Sequence, residues 1–245
     1  MLALRSALFL VFELVTVVPW SFLCLLAAVL PREPHYWFTV RWLRMQIWAL
    51  EHLVGIRWQV LGTENLPDGP AILLSKHQST WETYFFPIYM PRPLCYVFKR
   101  ELLLVPFFGW GIWLLGMIHI DRRKGNDAFE EVVTQGVKRL AQGRWIIMFP
   151  EGTRIPVGKK GRYKSGGPRL AARTGAPIVP IAVNAGECWP KGSWIMKPGL
   201  VTVSIGKPIG TTGRPIDETT AATESWIESE MRRISPSRYA QHEKT

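Results

Sequence analysis

Beyond Gly55 the chain alternates short β-rich runs with longer helical stretches, and this alternation constrains the fold more than any other feature. Strands joined through helices return to the same end of a sheet, so the pattern predicts an α/β fold: a mostly parallel sheet flanked by helices. The predicted strands cover residues 58–61, 71–75, 94–98, 117–120, 145–149, 178–183 and 201–205. The predicted helices cover 81–89, 105–115, 126–142, 165–173 and 219–234, with Gly143 as a helix stop. Polar residues dominate after Ser235, and 236–245 reads as a loose polar tail.

Before Gly55 the pattern is different. Residues 7–30 are almost continuously apolar, interrupted only by Glu13 and bent by Pro19, and approach the roughly 20 residues that cross a bilayer. A membrane anchor is expected; Glu13 and Pro19 also suit a re-entrant hairpin or an obliquely seated helix. After the break at Pro31-Arg32-Glu33-Pro34, residues 35–54 are rich in Trp, Tyr, Phe and Leu with Arg41 and Arg44 among them, as in a helix lying at the headgroup level. His35 and His52 read as interfacial or packing residues. The Lys/Arg excess follows the first apolar run, which places the remaining domain on the cytoplasmic side.

Thirty Lys+Arg against 19 Asp+Glu give a formal charge of +11, in a chain that is 47% hydrophobic and contains 12 Trp. A basic, apolar chain fits an anionic phospholipid surface. Nucleic acid is the other common partner of such charge, but no nucleic-acid motif occurs and the cations are interleaved with apolar runs. Cys24, Cys95 and Cys188 are scattered and read as reduced, buried residues. His77, His119 and His242 are far apart and no H-E-x-x-H occurs, so no metal is expected.

The chemistry-bearing residues fall just past strand ends: His77 after one, Lys99-Arg100 after another, Asp121-Arg122-Arg123 after a third, and Glu151-Gly152-Thr153-Arg154 after a fourth. In open parallel sheets ligands bind at the carboxyl edge, so the four placements converge on one cleft. His77-Gln78-Ser79-Thr80-Trp81-Glu82 offers an imidazole and a carboxylate. Five residues of helix would put these two on different faces, so they must bridge a loop and a helix start, with Ser79 at the N-cap. Ser79-x-x-Glu82 is equally a capping box, in which Glu82 would serve the backbone. Phe149-Pro150-Glu151-Gly152-Thr153-Arg154 combines a tight turn with a guanidinium, a setting suited to phosphate. Lys99 and Arg100 are further candidates for that phosphate, or surface residues. The basic run 159–164 reads as flexible, contacting headgroups or an acidic carrier protein, or simply solvated. With no G-x-S-x-G elbow, an enzyme serine nucleophile is not expected.

These residues resemble the bacterial 1-acyl-glycerol-3-phosphate acyltransferases of the glycerolipid acyltransferase superfamily. The resemblance runs from about the first strand to Pro208 in four ordered blocks: His77 to Glu82, Lys99-Arg100-Glu101-Leu102 through Gly109, Phe149 to Arg154, and Val179-Pro180-Ile181. With the membrane-anchoring and interfacial helices read in 1–54, it implies a catalytic domain in 55–235 and acyl transfer from a thioester to lysophosphatidic acid. By the same resemblance His77 is the general base and Glu82 its orienting carboxylate. Lys99 and Arg154 bind the acceptor phosphate, Glu151, Gly152 and Thr153 shape the pocket, and Pro180 forms a wall. No cofactor is implied beyond acyl-coenzyme A or acyl-carrier protein as co-substrate. Two departures stand out: Glu82 occupies the acid position of an H-x-x-x-x-D block, and Ile155-Pro156 follows Arg154 where a small polar residue is usual. Other lysolipids as acceptor, or a non-catalytic scaffold binding anionic lipid, are the competing readings.

Overall fold

The computed structural model describes residues 1–105, 108–121, 123 and 126–239. Seven strands form one sheet: β1 (Ile56–Leu61), β2 (Ile72–Ser75), β3 (Leu94–Lys99), β4 (Ile118–Ile120), β5 (Trp145–Met148), β6 (Ile178–Val183) and β7 (Gly199–Ile205), in the order β1-β7-β6-β2-β5-β3-β4. All neighbours are parallel except β6 and β7. The predicted strands and helices all appear, with ends shifted by a few residues. The reversal was not predicted: β1 and β7 run together, opposite to the other five strands.

The central strands are apolar on both faces because helices cover both. Along β2, Leu73 joins one core while Ile72 and Leu74 join another; along β5, Trp145 and Ile147 face the first and Ile146 the second. The first core lies beneath α1 (Leu2–Leu26), α2 (Arg32–Ala49) and α3 (Trp81–Tyr89), to which Phe9, Ile47, Trp81, Phe85 and Phe86 contribute. The second lies beneath α5 (Asn126–Ala141) and α6 (Gly166–Thr174), and a third small cluster beneath α7 (Ile216–Ile234). A short α4 (Phe108–Leu114) precedes β4. Part of the expected loose tail is ordered as α8 (Pro236–Tyr239), where Tyr239 is buried against the α7 cluster; 240–245 lie outside the described residues.

The amino-terminal helices share their core with the sheet instead of standing apart from it. Helix α1 turns a polar and aromatic face inward. Ser6 is buried and accepts the Met196 amide at 2.8 Å, Phe9 is fully buried, Glu13 accepts the Tyr84 hydroxyl, and Thr16 accepts Trp42 Nε1 and Gln46 Nε2, each at 3.1 Å. The opposite stripe, Leu4, Leu8, Val11, Val15, Val18 and Phe22, is exposed. Residues Leu2–Val29 are long and apolar enough to cross a membrane by length and composition. His35 is buried, its Nε2 3.0 Å from the Cys24 carbonyl, where it braces the end of α1.

Candidate active site

Strands β2, β5, β3 and β4 are adjacent and parallel, so their carboxyl ends form one rim. His77 follows β2 on that rim. Its ring stacks on Phe149, which follows β5, at 3.8 Å between centroids and 14° between planes. The His77 carbonyl accepts the Ile155 amide at 2.7 Å, and its own amide donates to Glu151 Oε2 at 3.2 Å. Segments about 75 residues apart in sequence are thereby fastened together, and Arg154 is drawn to the loop that carries His77.

Glu82 takes the capping role that its spacing from Ser79 suggests, and it also lies beside the imidazole. The fully buried carboxylate accepts the Gln78 amide at 2.9 Å and the Ser79 amide at 2.9 and 3.0 Å, as a capping acid does. Its Oε2 also lies 3.5 Å from His77 Nδ1, which has no hydrogen-bond partner among the described residues. That separation is long for a hydrogen bond, and such bonds commonly tighten only when substrate arrives. With Nδ1 turned to a carboxylate, the favoured tautomer keeps the proton there and leaves Nε2 to act as base. The helix cap itself is Thr80, not Ser79 as expected; Ser79 Oγ instead accepts the Trp81 amide at 3.2 Å.

The turn after β5 is held by Gly152, whose φ of +68° is a left-handed conformation. A methyl group there would also meet Lys164 Nζ at 2.8 Å. Arg154 is half-buried, and among the described residues no acid pairs with it. Its charge acts on the Tyr84 hydroxyl, which burial and Glu13 hold above the usual tyrosine range. Lys99 ends β3 and is exposed. It sits two strands from His77 on the same rim, about 10 Å across at normal strand spacing.

The other expected residues have neighbours of their own. Glu151 is buried, holding Lys76 Nζ at 2.7 Å and the Gly161 amide at 3.2 Å, so it braces the turn from beneath; burial pushes its carboxyl up. Arg100 is 3.4 Å from Asp121, and Asp121 also receives Arg123; Arg122 lies outside the described residues. Thr153 is exposed, 3.5 Å from Lys191 Nζ. Pro180 lies in mid-β6 opposite Leu74 and presses with Trp226 on Gly206, on the α7 face away from Phe149. The run 159–164 is fastened down, not loose. Gly161 reaches Glu151, Tyr163 is buried on Glu228, Lys160 pairs with Glu224, and the Lys164 amide meets the Pro150 carbonyl at 2.9 Å.

Sequence reasoning passed over Lys76 and Glu228 and placed Tyr163 in a flexible run. Lys76 looks like a solvated residue at a strand end. Glu228 carries a usable signal, an acid three residues before Met231 on the buried side of α7.

The rim thus defines an α/β protein with an imidazole and a guanidinium at the carboxyl edge of its sheet. The acyltransferase family model matches residues 57–184. The chain is 44% identical over 239 residues to the 1-acyl-sn-glycerol-3-phosphate acyltransferase of Pseudomonas aeruginosa, spanning 96% of this chain and 93% of that one. It is 31% identical over 186 residues to the 1-acyl-sn-glycerol-3-phosphate acyltransferase alpha of Mus musculus, spanning 75% of this chain and 65% of the mouse protein. The fold matches the crystal structure of the 1-acyl-sn-glycerophosphate acyltransferase from Thermotoga maritima with a TM-score of 0.79 over 95% of each chain, at 24% identity. The chain belongs to the acyltransferase family, as its four motif blocks implied.

Proposed function

We propose that the protein transfers an acyl group from a thioester to the sn-2 hydroxyl of 1-acyl-sn-glycerol 3-phosphate, forming phosphatidic acid. The observation that carries this reading is the meeting of His77 with the turn that bears Arg154, joined through the Ile155 amide, beside a relative named for this reaction. Arg154 and Lys99 hold the phosphate monoester and present the neighbouring hydroxyl to His77. As His77 Nε2 takes the hydroxyl proton, the oxygen attacks the thioester carbonyl. The C–S bond then breaks, and the imidazolium returns the proton to the departing thiolate, giving the free thiol carrier. The Glu82 carboxylate, 3.5 Å from Nδ1, steadies the imidazolium.

A thioester is already activated, so a positioned base, worth about 10²–10⁴-fold, and orientation supply the rate without a metal or bound cofactor. Acyl-coenzyme A or acyl-carrier protein delivers the acyl group. The exposed apolar stripe of α1 is set in the inner membrane with the sheet on its cytoplasmic side, consistent with the basic charge after α1.

The test offers purified protein lysophosphatidic acid with each donor and measures phosphatidic acid. The parent is expected to turn over with chelator present, His77→Ala to lose about 10²–10⁴-fold in kcat, and Arg154→Ala to raise KM for the phosphorylated acceptor. Absence of turnover with any thioester, or a preference for acceptors lacking a phosphate monoester, would overturn the proposal.

A further inference from the structure

Lys76 immediately precedes His77 and is completely buried. Its ammonium lies 2.7 Å from Glu151 Oε1 and 2.7 Å from Glu228 Oε1, and donates to the Lys159 carbonyl at 3.2 Å. Glu228 Oε1 accepts a further hydrogen bond from the Tyr163 hydroxyl at 2.8 Å. Three ionisable side chains are thus buried together between the sheet and α7. For stability alone this is a poor choice, since apolar side chains of similar volume commonly hold such elements as well or better.

The contacts lead to the base. Lys76 engages Glu151 through Oε1, which leaves Oε2 to receive the His77 amide. Residues 76 and 77 are consecutive, so ammonium and amide grip the same carboxylate from one stretch of backbone. Glu228 holds the far side of Lys76, and Tyr163 holds Glu228. The His77 carbonyl is fixed separately by Ile155 and the preceding Lys76 amide by the Ile181 carbonyl at 2.9 Å, so the His77 amide between them is what Glu151, and through it this cluster, holds.

We infer that Glu228, on the C-terminal helix, is a positioning residue for His77, acting through Lys76 and Glu151. It touches no substrate. Its loss frees Lys76 to turn, Glu151 follows, and the imidazole leaves its place over Phe149. The inference rests on the proposed acyl transfer. A displaced base slows the chemical step, while the turn of Arg154 keeps its backbone bonds, the Gly152 amide to the Phe149 carbonyl and the Lys164 amide to the Pro150 carbonyl, each at 2.9 Å, so kcat falls while KM for lysophosphatidic acid holds.

The experiment compares Glu228→Gln with Glu230→Gln, a neighbour on the same helix bonded to Ser204 and Arg233. Glu228→Gln is expected to lower kcat about 10–100-fold, the range a small misplacement of a reacting group produces, with KM unchanged; Glu230→Gln retains the parent kcat. Lys76→Met combined with Glu228→Gln is expected to be no slower than Lys76→Met alone, because the two lie on one path. Should Glu228→Gln fail to fold, Tyr163→Phe, which removes only the hydroxyl steering Glu228, gives the same split in smaller measure. Parent-like kcat in Glu228→Gln, or in Tyr163→Phe if that variant must stand in, overturns the inference, as does equal damage from Glu230→Gln. A parent protein that makes no phosphatidic acid overturns the functional reading instead.

Discussion

The carboxylate of Glu82 is committed to two backbone amides before it faces the imidazole of His77. Its two duties can be separated. Glu82→Gln keeps an acceptor for Gln78 and Ser79 but removes the charge beside Nδ1. Glu82→Ala removes both and strands buried N–H groups, a loss of about 1–3 kcal/mol. Both variants are expected to lower kcat, but only Glu82→Ala should lower the Tm clearly; equal Tm values in the two would show that the amides do not depend on this side chain. At this scale the sequence was informative where partners are local or lie in recognisable motifs. His77 and Glu82 are five residues apart and could be read together. Lys76 and Glu228 are 152 residues apart and meet only because α7 packs on β6, the neighbour of β2, so nothing in either neighbourhood announces the pair.

Every strand and every helix but the short α8 could be located from the sequence, but the direction of a strand could not. An apolar run such as residues 201–205 reads the same whichever way it enters the sheet, and the reversal of β1 and β7 follows from the connections and from pairing with β6. Helix α1 shows a similar limit. Its apolar composition pointed to lipid, whereas the placement of Ser6, Phe9, Glu13 and Thr16 on a single inward face emerges only when α2, α3 and the segment 189–196 before β7 are present to receive them. The two faces should respond differently to truncation. Phe9→Ala removes a fully buried ring and is expected to destabilise the detergent-solubilised protein by about 3–5 kcal/mol; Val15→Ala, on the exposed stripe, should leave thermal unfolding near that of the parent. Equal losses would mean that α1 does not dock as described.

Over the whole molecule, a charge of +11 accompanies an exposed apolar stripe, two features that respond differently to salt. Attraction to anionic headgroups is screened within about 10 Å at 0.1 M ionic strength, whereas apolar burial is not weakened in this way. In flotation assays the protein should therefore favour anionic over neutral vesicles at low salt, lose that preference as salt rises, and remain bound to both. Full release by salt would show that the stripe does not enter lipid.

The reversed direction of β1 has one more consequence. Because β1 starts where β2 to β6 finish, the helical hairpin hands the chain to the sheet at the same rim that carries His77. Anchor and chemistry lie at a shared level without a spacer between them. A fatty tail can thus move sideways from the bilayer to the reacting hydroxyl without being lifted through water.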